Sequence, residues 1–268
     1  MKRIKLFQVD AFTNTQFKGN PAGVCLLDEH LPEDSMQAIA AEMNLSETAF
    51  LVRREDDGFD LRWFTPTVEV KLCGHGTLAS AHILWQEGVL EPGETARFFT
   101  QSGWLSAVQK GDWIELDFPA SFDSNRSLPG EAVSALNVRP VNIVFSETRF
   151  IVELATEDEV ISCKPDFKVL KNHEMIVITS KGGASSAYDF VSRTFGPSHG
   201  IDEDPVTGSS HCCLTTYWSK RLGKTEMFAY QASARGGEVK VKLAGERVLF
   251  SGQAVTVVEG YFLLHFAG

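Results

Sequence analysis

From Ile4 to Phe12 the chain is apolar with Lys5, Gln8 and Asp10 interspersed, which predicts a strand. The turn Lys18-Gly19-Asn20-Pro21-Ala22-Gly23 follows, and then a second strand, Val24-Cys25-Leu26-Leu27. Between Pro32 and Met43 the period changes. Met36, Ile39, Ala40 and Met43 recur at i, i+3, i+4 and i+7, which predicts a helix with one apolar face. Asn44-Leu45-Ser46-Glu47 leads into the strand Thr48 to Val52, and Asp60 to Phe64 alternates as another, ending at Thr65-Pro66. Leu72-Cys73-Gly74-His75-Gly76-Thr77 then opens an apolar run from Leu78 to Glu87 with few polar positions. A helix apolar nearly all round is a buried one, and Gly88 is placed to end it. Arg97 to Phe118 reads as strands broken at Gly103 and Gly111-Asp112.

The second half repeats this order. Leu31-Pro32 before the first helix matches Leu128-Pro129 before Glu131 to Leu136. Ser46-Glu47-Thr48-Ala49-Phe50-Leu51-Val52 matches Ser146-Glu147-Thr148-Arg149-Phe150-Ile151-Val152. Gly74-His75-Gly76-Thr77 resembles Thr207-Gly208-Ser209-Ser210, each opening an apolar run that a glycine ends, Gly88 and Gly223. Gln101-Ser102-Gly103 matches Gln231-Ala232-Ser233. The shared order predicts a duplicated α+β fold of two pseudo-symmetric halves. Each is a curved, mostly antiparallel sheet or barrel around a buried helix. The expected halves are 1–120, completed by a last strand at 261–268, and 121–260, with a cleft between them as the place for a ligand. No fixed short period marks a solenoid.

Composition narrows the function. With 25 basic against 35 acidic residues the net charge is −10. Such a surface repels phosphate backbones, so nucleic acid is not an expected partner. No apolar run is long enough to span a membrane, and the polar residues after Met1-Lys2-Arg3 interrupt any signal peptide. Five cysteines, two of them adjacent at 212 and 213, make a poor disulfide framework and suit a reducing cytoplasm.

The chemistry concentrates at the two glycine-rich turns. The first N–H groups of a helix lack internal partners and the helix dipole favours negative charge there. Two such ends, at Gly74-His75-Gly76 and Gly208-Ser209-Ser210, would suit a carboxylate or a developing oxyanion. Spacing alone leaves open whether these glycines only make tight turns. Zinc is not expected: Cys73, His75, His211, Cys212 and Cys213 include no C-x-x-C pair. Walker, Rossmann and nucleophile-elbow motifs are missing. Glu47 is the remaining acid/base candidate, beside Leu45, Ala49 and Phe50. Apolar neighbours favour a protonated carboxyl group, which suits proton transfer near neutral pH. Composition does not choose between Glu47 and Glu147.

Six segments occur in a telling order: Gln8-Val9-Asp10-Ala11-Phe12, Gly19-Asn20-Pro21-Ala22-Gly23-Val24, Asn44-Leu45-Ser46-Glu47-Thr48, Phe64-Thr65-Pro66, Cys73-Gly74-His75-Gly76 and Asp204-Pro205-Val206-Thr207-Gly208-Ser209. With Ser251-Gly252-Gln253 near the end, the set resembles the PhzF-like family, named for phenazine biosynthesis. The resemblance covers nearly the whole chain. It implies the diaminopimelate epimerase fold and an isomerase working without cofactor or metal. It assigns the proton-carrying glutamate to Glu47 rather than Glu147, and the family's histidine and aspartate to His75 and Asp204. It implies substrate contacts at Asn20, Gly74, Gly76, Thr207, Gly208, Ser209 and Gly252. It also implies a homodimer acting on a small anionic substrate. In the phenazine enzyme the glutamate moves a proton across dihydro-hydroxyanthranilate; that substrate does not carry over. Cys73 and Gly76 depart from the phenazine enzyme. Cys-Gly-His-Gly instead resembles the first catalytic turn of proline racemases, which use two thiols. The second thiol would be expected at Pro205, and it is absent. The expected function is therefore a cofactor-independent isomerase of a small carboxylate. A racemase or epimerase using Cys73 and a non-catalytic binding protein are the alternatives.

Overall fold

The computed structural model describes residues 1–124 and 126–264. By internal packing the chain divides into two compact units, one of Met1–Asp117 with the chain from Ser251 onward, the other of Phe118–Phe250.

In the first unit, β1 (Lys2–Ala11) and β2 (Asn20–Leu27) form an antiparallel hairpin. Two devices fix its long connection. The Asp10 carboxylate accepts from the Phe17 N–H at 2.7 Å. Gly19 has φ +63°, and a Cβ there would sit 2.1 Å from the Ala11 carbonyl oxygen, so only glycine fits. Helix α1 (Glu33–Met43) starts after Pro32 and stops at Asn44, which takes the left-handed conformation at φ 49°. Its Met36, Ile39 and Ala40 pack on Ile4, Leu6, Cys25 and Phe50, as the sequence pattern predicts. That docking returns the chain so that β3 (Glu47–Arg53) runs parallel to β2, with Ala22 opposite Glu47. β4 (Phe59–Phe64) is antiparallel to β3, and the short β5 (Glu69–Val70) lies on β4.

Helix α2 (Gly74–Gln86) follows, with Gly88 at φ +65° just beyond its end. β6 (Ala96–Thr100) is parallel to β4, β7 (Gly103–Lys110) antiparallel to β6, and β8 (Trp113–Pro119) antiparallel to β7. Leu78, Ala79, Ala81, Ile83 and Leu84 of α2 are wholly buried, against β1, β2, β3 and β7. Each buried leucine or isoleucine contributes about 1.5–3 kcal/mol. The base of the site is thus anchored by the most apolar helix of the unit.

The second unit contains β9 (Asp123–Ser124), α3 (Gly130–Ala135), β10 (Asn142–Ser146), β11 (Arg149–Glu153), α4 (Glu157–Ser162), α5 (Phe167–Leu170), β12 (Met175–Lys181) and β13 (Phe190–Gly196). β14 (Ile201–Asp204), α6 (Gly208–Leu222), β15 (Glu226–Gln231), β16 (Gly237–Ala244) and β17 (Arg247–Gly252) follow. The pairings repeat those of the first unit. β10 and β11 form a hairpin, β11 is parallel to β12, β12 antiparallel to β13, β13 carries the short β14, and β15 is parallel to β13 after the helix. The chain is an α+β protein of two pseudo-symmetric halves.

Three sequence expectations are corrected. Ser146-Glu147-Thr148 is the β10–β11 hairpin turn, with Glu147 exposed at φ 54°. Its topological equivalent is the β1–β2 connection, not the start of β3. In the parallel pair, Arg149 lies opposite Met175 as Ala22 lies opposite Glu47, so Met175 holds the Glu47 position. Likewise Leu128-Pro129 opens α3 ahead of β10, whereas α1 follows β2; α4 and α5 occupy the α1 position. The third concerns the chain end. The returning segment begins at Ser251 rather than 261, because β18 (Ala254–Leu264) pairs with all of β1, Ala11 opposite Ala254 and Lys2 opposite Leu264. Residues 265–268 of the expected last strand lie outside the described residues.

Candidate active site

Three elements of the first unit begin at one place. Asn20 is the first residue of β2, Glu47 the first of β3, and Cys73 caps α2 just before Gly74 and His75. Parallel pairing of β2 and β3 aligns their starts, and close contact is possible because Gly23 has no side chain. A Cβ there would lie 2.9 Å from Thr48 Oγ1.

Glu47 Oε2 lies 2.9 Å from His75 Nε2. The two atoms touch without the alignment of a straight hydrogen bond, and Oε2 has no other partner while being fully buried. The Asn20 amide nitrogen lies 3.3 Å from His75 Nδ1, and Cys73 Sγ lies 3.6 Å from Nδ1 and 3.9 Å from Nε2. Asn20, Cys73 and His75 are buried, and Glu47 retains 15% side-chain exposure.

Cys73 is an N-cap by its thiol: Gly76 N–H donates to Sγ at 3.3 Å. The Gly76 N–H expected to hold a substrate anion is therefore already engaged. Gly76 is also tightly enclosed. A Cβ would lie 2.8 Å from Trp63 Cδ1 and 2.9 Å from Cys73 Sγ. The Trp63 indole N–H beside it is buried without a partner.

The electrostatics follow from burial and these neighbours. Desolvation, reinforced by the Glu47 charge, pushes the Cys73 thiol up, against opposing contributions from His75 and the Gly76 N–H. Burial opposes a charged His75 most strongly, yet the combined pull of Cys73 and the Glu47 carboxylate raises it well above the ordinary histidine value. With Cys73 held as a thiol, the Glu47 carboxylate is the charged neighbour that favours a proton on His75.

Ligand atoms of Glu47, Cys73 and His75 lie within 4.8 Å of one another. Glu47 Oε2 and His75 Nε2 are in direct contact at 2.9 Å, so an ion held by both would have to displace that contact and the Cys73 thiol proton.

The second unit holds the remaining expected residues. Asp204 Oδ2 accepts from Thr207 Oγ1 at 2.6 Å. The buried Gln231 amide braces this turn, accepting from Thr207 N–H at 2.9 Å and donating to the Asp204 carbonyl at 2.8 Å. Gly208 and Ser209 begin α6. Sequence reasoning missed Arg149, whose guanidinium donates to Ser209 Oγ at 3.1 Å and Ser210 Oγ at 2.7 Å. Its signal was its place in the β10–β11 hairpin, hidden by the mistaken match to β3. Gly252 is buried, and a Cβ there would lie 2.4 Å from Phe12 Cδ1 and 2.9 Å from Leu78 Cδ1. Its position is dictated by packing within the first unit.

A family model described as phenazine biosynthesis-like protein matches residues 9–260. An uncharacterized isomerase of Halalkalibacterium halodurans is 47% identical over 98% of this chain and 100% of its own. The crystal structure of a PhzF family phenazine biosynthesis protein from Enterococcus faecalis superposes with a TM-score of 0.93 at 39% identity, covering 98% of this chain and 100% of that one. A hydroxyproline epimerase from Agrobacterium vitis shares the fold, with a TM-score of 0.61 at 12% identity over 98% of this chain and 91% of that one. The relatives mark the chain as an isomerase. The chain belongs to the phenazine biosynthesis-like, or PhzF, family. Among the described residues, no helix is long and apolar enough to cross a membrane.

Proposed function

We propose that the protein isomerises a small carboxylate-bearing metabolite by moving one proton with Glu47. The observation that carries this reading is the buried Glu47 Oε2, in contact with His75 and with no straight hydrogen bond of its own. As carboxylate, Glu47 takes a proton from a carbon made acidic by an adjacent carbonyl or carboxyl group. The electron pair is left delocalised on the substrate, and Glu47, now protonated, returns the proton to a second carbon of the same conjugated system. His75 beside it, whose proton the same carboxylate favours, stabilises Glu47 while it is charged.

Inversion of a stereocentre by two opposed groups receives no support. Met175 stands at the Glu47 position of the second unit, and Thr207 stands where Cys73 stands in the first. The cap register makes Thr207, not Pro205, the place to look for a second thiol, and it is a hydroxyl. Cys212 and Cys213 lie inside α6, where burial lifts them to about 12 and about 11.

In the second unit we propose an anion site at the start of α6. A guanidinium against the positive end of a helix is unfavourable on its own. An anion beside Arg149, Gly208 and Ser209 would offset that repulsion, with Asp204 and Thr207 shaping the turn. From the family resemblance the enzyme is a cytoplasmic homodimer, and the five free, buried cysteines suit a reducing compartment.

The test is incubation with a panel of unsaturated and 2-oxo carboxylates in D2O, followed by proton NMR. A single exchanging carboxyl group places solvent deuterium in the product at one carbon. Racemisation of a saturated amino acid, retained in Glu47→Gln, would overturn the reading.

A further inference from the structure

We infer that Asn20 is a positioning residue that keeps the Nε2–H of His75 on Glu47 while the Nδ1 proton comes and goes. This inference rests on Glu47 as the proton carrier, but its geometry stands apart from that reading.

His75 is surrounded by three polar groups from three elements: Glu47 from β3 at Nε2, Asn20 from β2 at Nδ1, and the Cys73 thiol from the cap of α2, 3.6 Å from Nδ1 and 3.9 Å from Nε2. Glu47 is the charged neighbour, and Cys73 the other titratable one. The ring is buried, so whatever sits on Nδ1 must find its partner among these groups. A primary amide is the one side chain here that serves both states of the ring. Its NH2 donates to the bare Nδ1 of neutral His75, and after a half-turn its carbonyl oxygen accepts from Nδ1–H of the imidazolium. Cys73 gives weaker help in either role, since its thiol already accepts from Gly76 N–H. Neutral His75 consequently keeps its remaining proton on Nε2, facing Glu47 Oε2. The alternative, Nδ1–H with a bare Nε2, would set a lone pair against a carboxylate oxygen 2.9 Å away. Asn20 opens β2 with its backbone fixed opposite Ala11 and its side chain fully buried, so the amide is held at the ring. On this account Asn20 acts through His75, and not as the substrate contact the family resemblance implies.

The test is 15N NMR of imidazole- and amide-labelled full-length protein, with the His75 signal assigned by its loss in His75→Gln. In the parent, neutral His75 carries its proton on Nε2, and the Asn20 side-chain amide protons shift with the midpoint of His75. Hydrogen bonds to a charged group are about twice as strong as neutral ones. Asn20→Leu therefore costs the imidazolium more than the neutral ring, and lowers the midpoint by roughly one pH unit. Asn20→Asp adds a neighbouring negative charge and raises it by about one unit or more. An unchanged midpoint in Asn20→Leu overturns the inference, since mere proximity would still let Asn20→Asp raise it. If Asn20→Leu does not fold, the parent decides. An Nδ1–H tautomer, or an Asn20 amide silent through the His75 midpoint, overturns it equally. None of these readouts uses turnover, so failure of Glu47 as proton carrier, seen in deuterium incorporation, is distinguishable from failure here.

Discussion

Thr207 holds in the second unit the position that Cys73 holds in the first. Each is the extended residue immediately before a buried helix, Cys73 at φ −143° and ψ 113°, Thr207 at φ −112° and ψ 101°. Their side chains behave differently. The Cys73 thiol turns back onto the Gly76 N–H, whereas the Thr207 hydroxyl leaves the helix and donates to Asp204. The two helix starts are equal in backbone and unequal in chemistry, and that inequality underlies the first prediction.

If Cys73 is a cap and a wall of the His75 pocket, Cys73→Ser retains both functions and Cys73→Ala loses the cap. Cap removal typically costs about 0.5–2 kcal/mol, and a thiol belongs at the low end. Denaturant titration should show that loss for Cys73→Ala and not for Cys73→Ser. Turnover should stay within about tenfold of the parent in both. A fall of about 10³-fold, the scale of a lost essential group, would bring back the thiol mechanism.

Gly76→Ala tests how tightly the same turn is built. The added methyl meets Trp63 and Cys73 at under 3.0 Å, and neither is a flexible chain end. Overpacking of this kind costs about 1–3 kcal/mol. The expected result is a lower unfolding midpoint together with a changed His75 NMR signal, because Cys73 and His75 are adjacent in the strained turn. A variant as stable as the parent, with His75 unperturbed, contradicts the packing described.

Two histidines give stability opposite pH dependences. His75 binds its proton more tightly in the folded than in the unfolded state. Its contribution is complete below about pH 6.5 and drains away as pH rises through the elevated folded value. His211 is the reverse. Burial, helped by the Arg149 charge and opposed by its bond to the Thr207 carbonyl, holds it down to about 4. The neutral ring donates from Nδ1 to that carbonyl at 2.8 Å, and its Nε2 is buried without a partner. As pH falls from about 6.5 towards 4 the unfolded chain takes up a proton that the folded one refuses, a loss of about 3 kcal/mol. Unfolding free energies measured from acid to alkaline pH should slope down on both sides. His211→Asn should flatten the acid side and His75→Gln the alkaline side; an unchanged slope in either variant removes that assignment.

Much of this architecture was legible because it rests on local physics. The α1 face, the all-round apolar α2, the stops at Asn44 and Gly88, and the two glycine-rich helix starts follow from spacing and backbone preference. The register of the duplication was not legible. A shared Ser-Glu-Thr suggested that residues 146–152 repeat 46–52, but alternation cannot distinguish the second strand of a hairpin from a strand returning parallel after a helix. Only the hydrogen-bonded registers, Ala22 with Glu47 and Arg149 with Met175, reveal the true equivalence. The Asn20–His75 contact was illegible for a similar reason. It joins residues 55 positions apart, brought together by the packing of α2 on β2, which no local pattern encodes.

The corrected register sharpens the comparison of Glu47 with Glu147. Glu47 begins a strand, is largely enclosed, and touches His75. Glu147 sits in an exposed hairpin turn at φ 54°, and the position truly equivalent to Glu47 is Met175. Glu47→Gln keeps the size and hydrogen-bonding capacity of the side chain but cannot accept a proton. General acid–base catalysis contributes about 10²–10⁴-fold. Glu47→Gln should therefore fold, bind ligand, and lose at least about 10²-fold in turnover and in solvent-deuterium incorporation. Its effect on His75 is a second signature. Without the neighbouring carboxylate the His75 midpoint should fall, since Glu47 is one of the charges that raise it. Glu147→Gln should alter neither turnover nor the His75 midpoint. A side-by-side assay of both variants decides the matter. Undiminished turnover in Glu47→Gln would remove the proposed mechanism, whereas lost turnover with an unmoved His75 would show that Glu47 works without the contact seen between them.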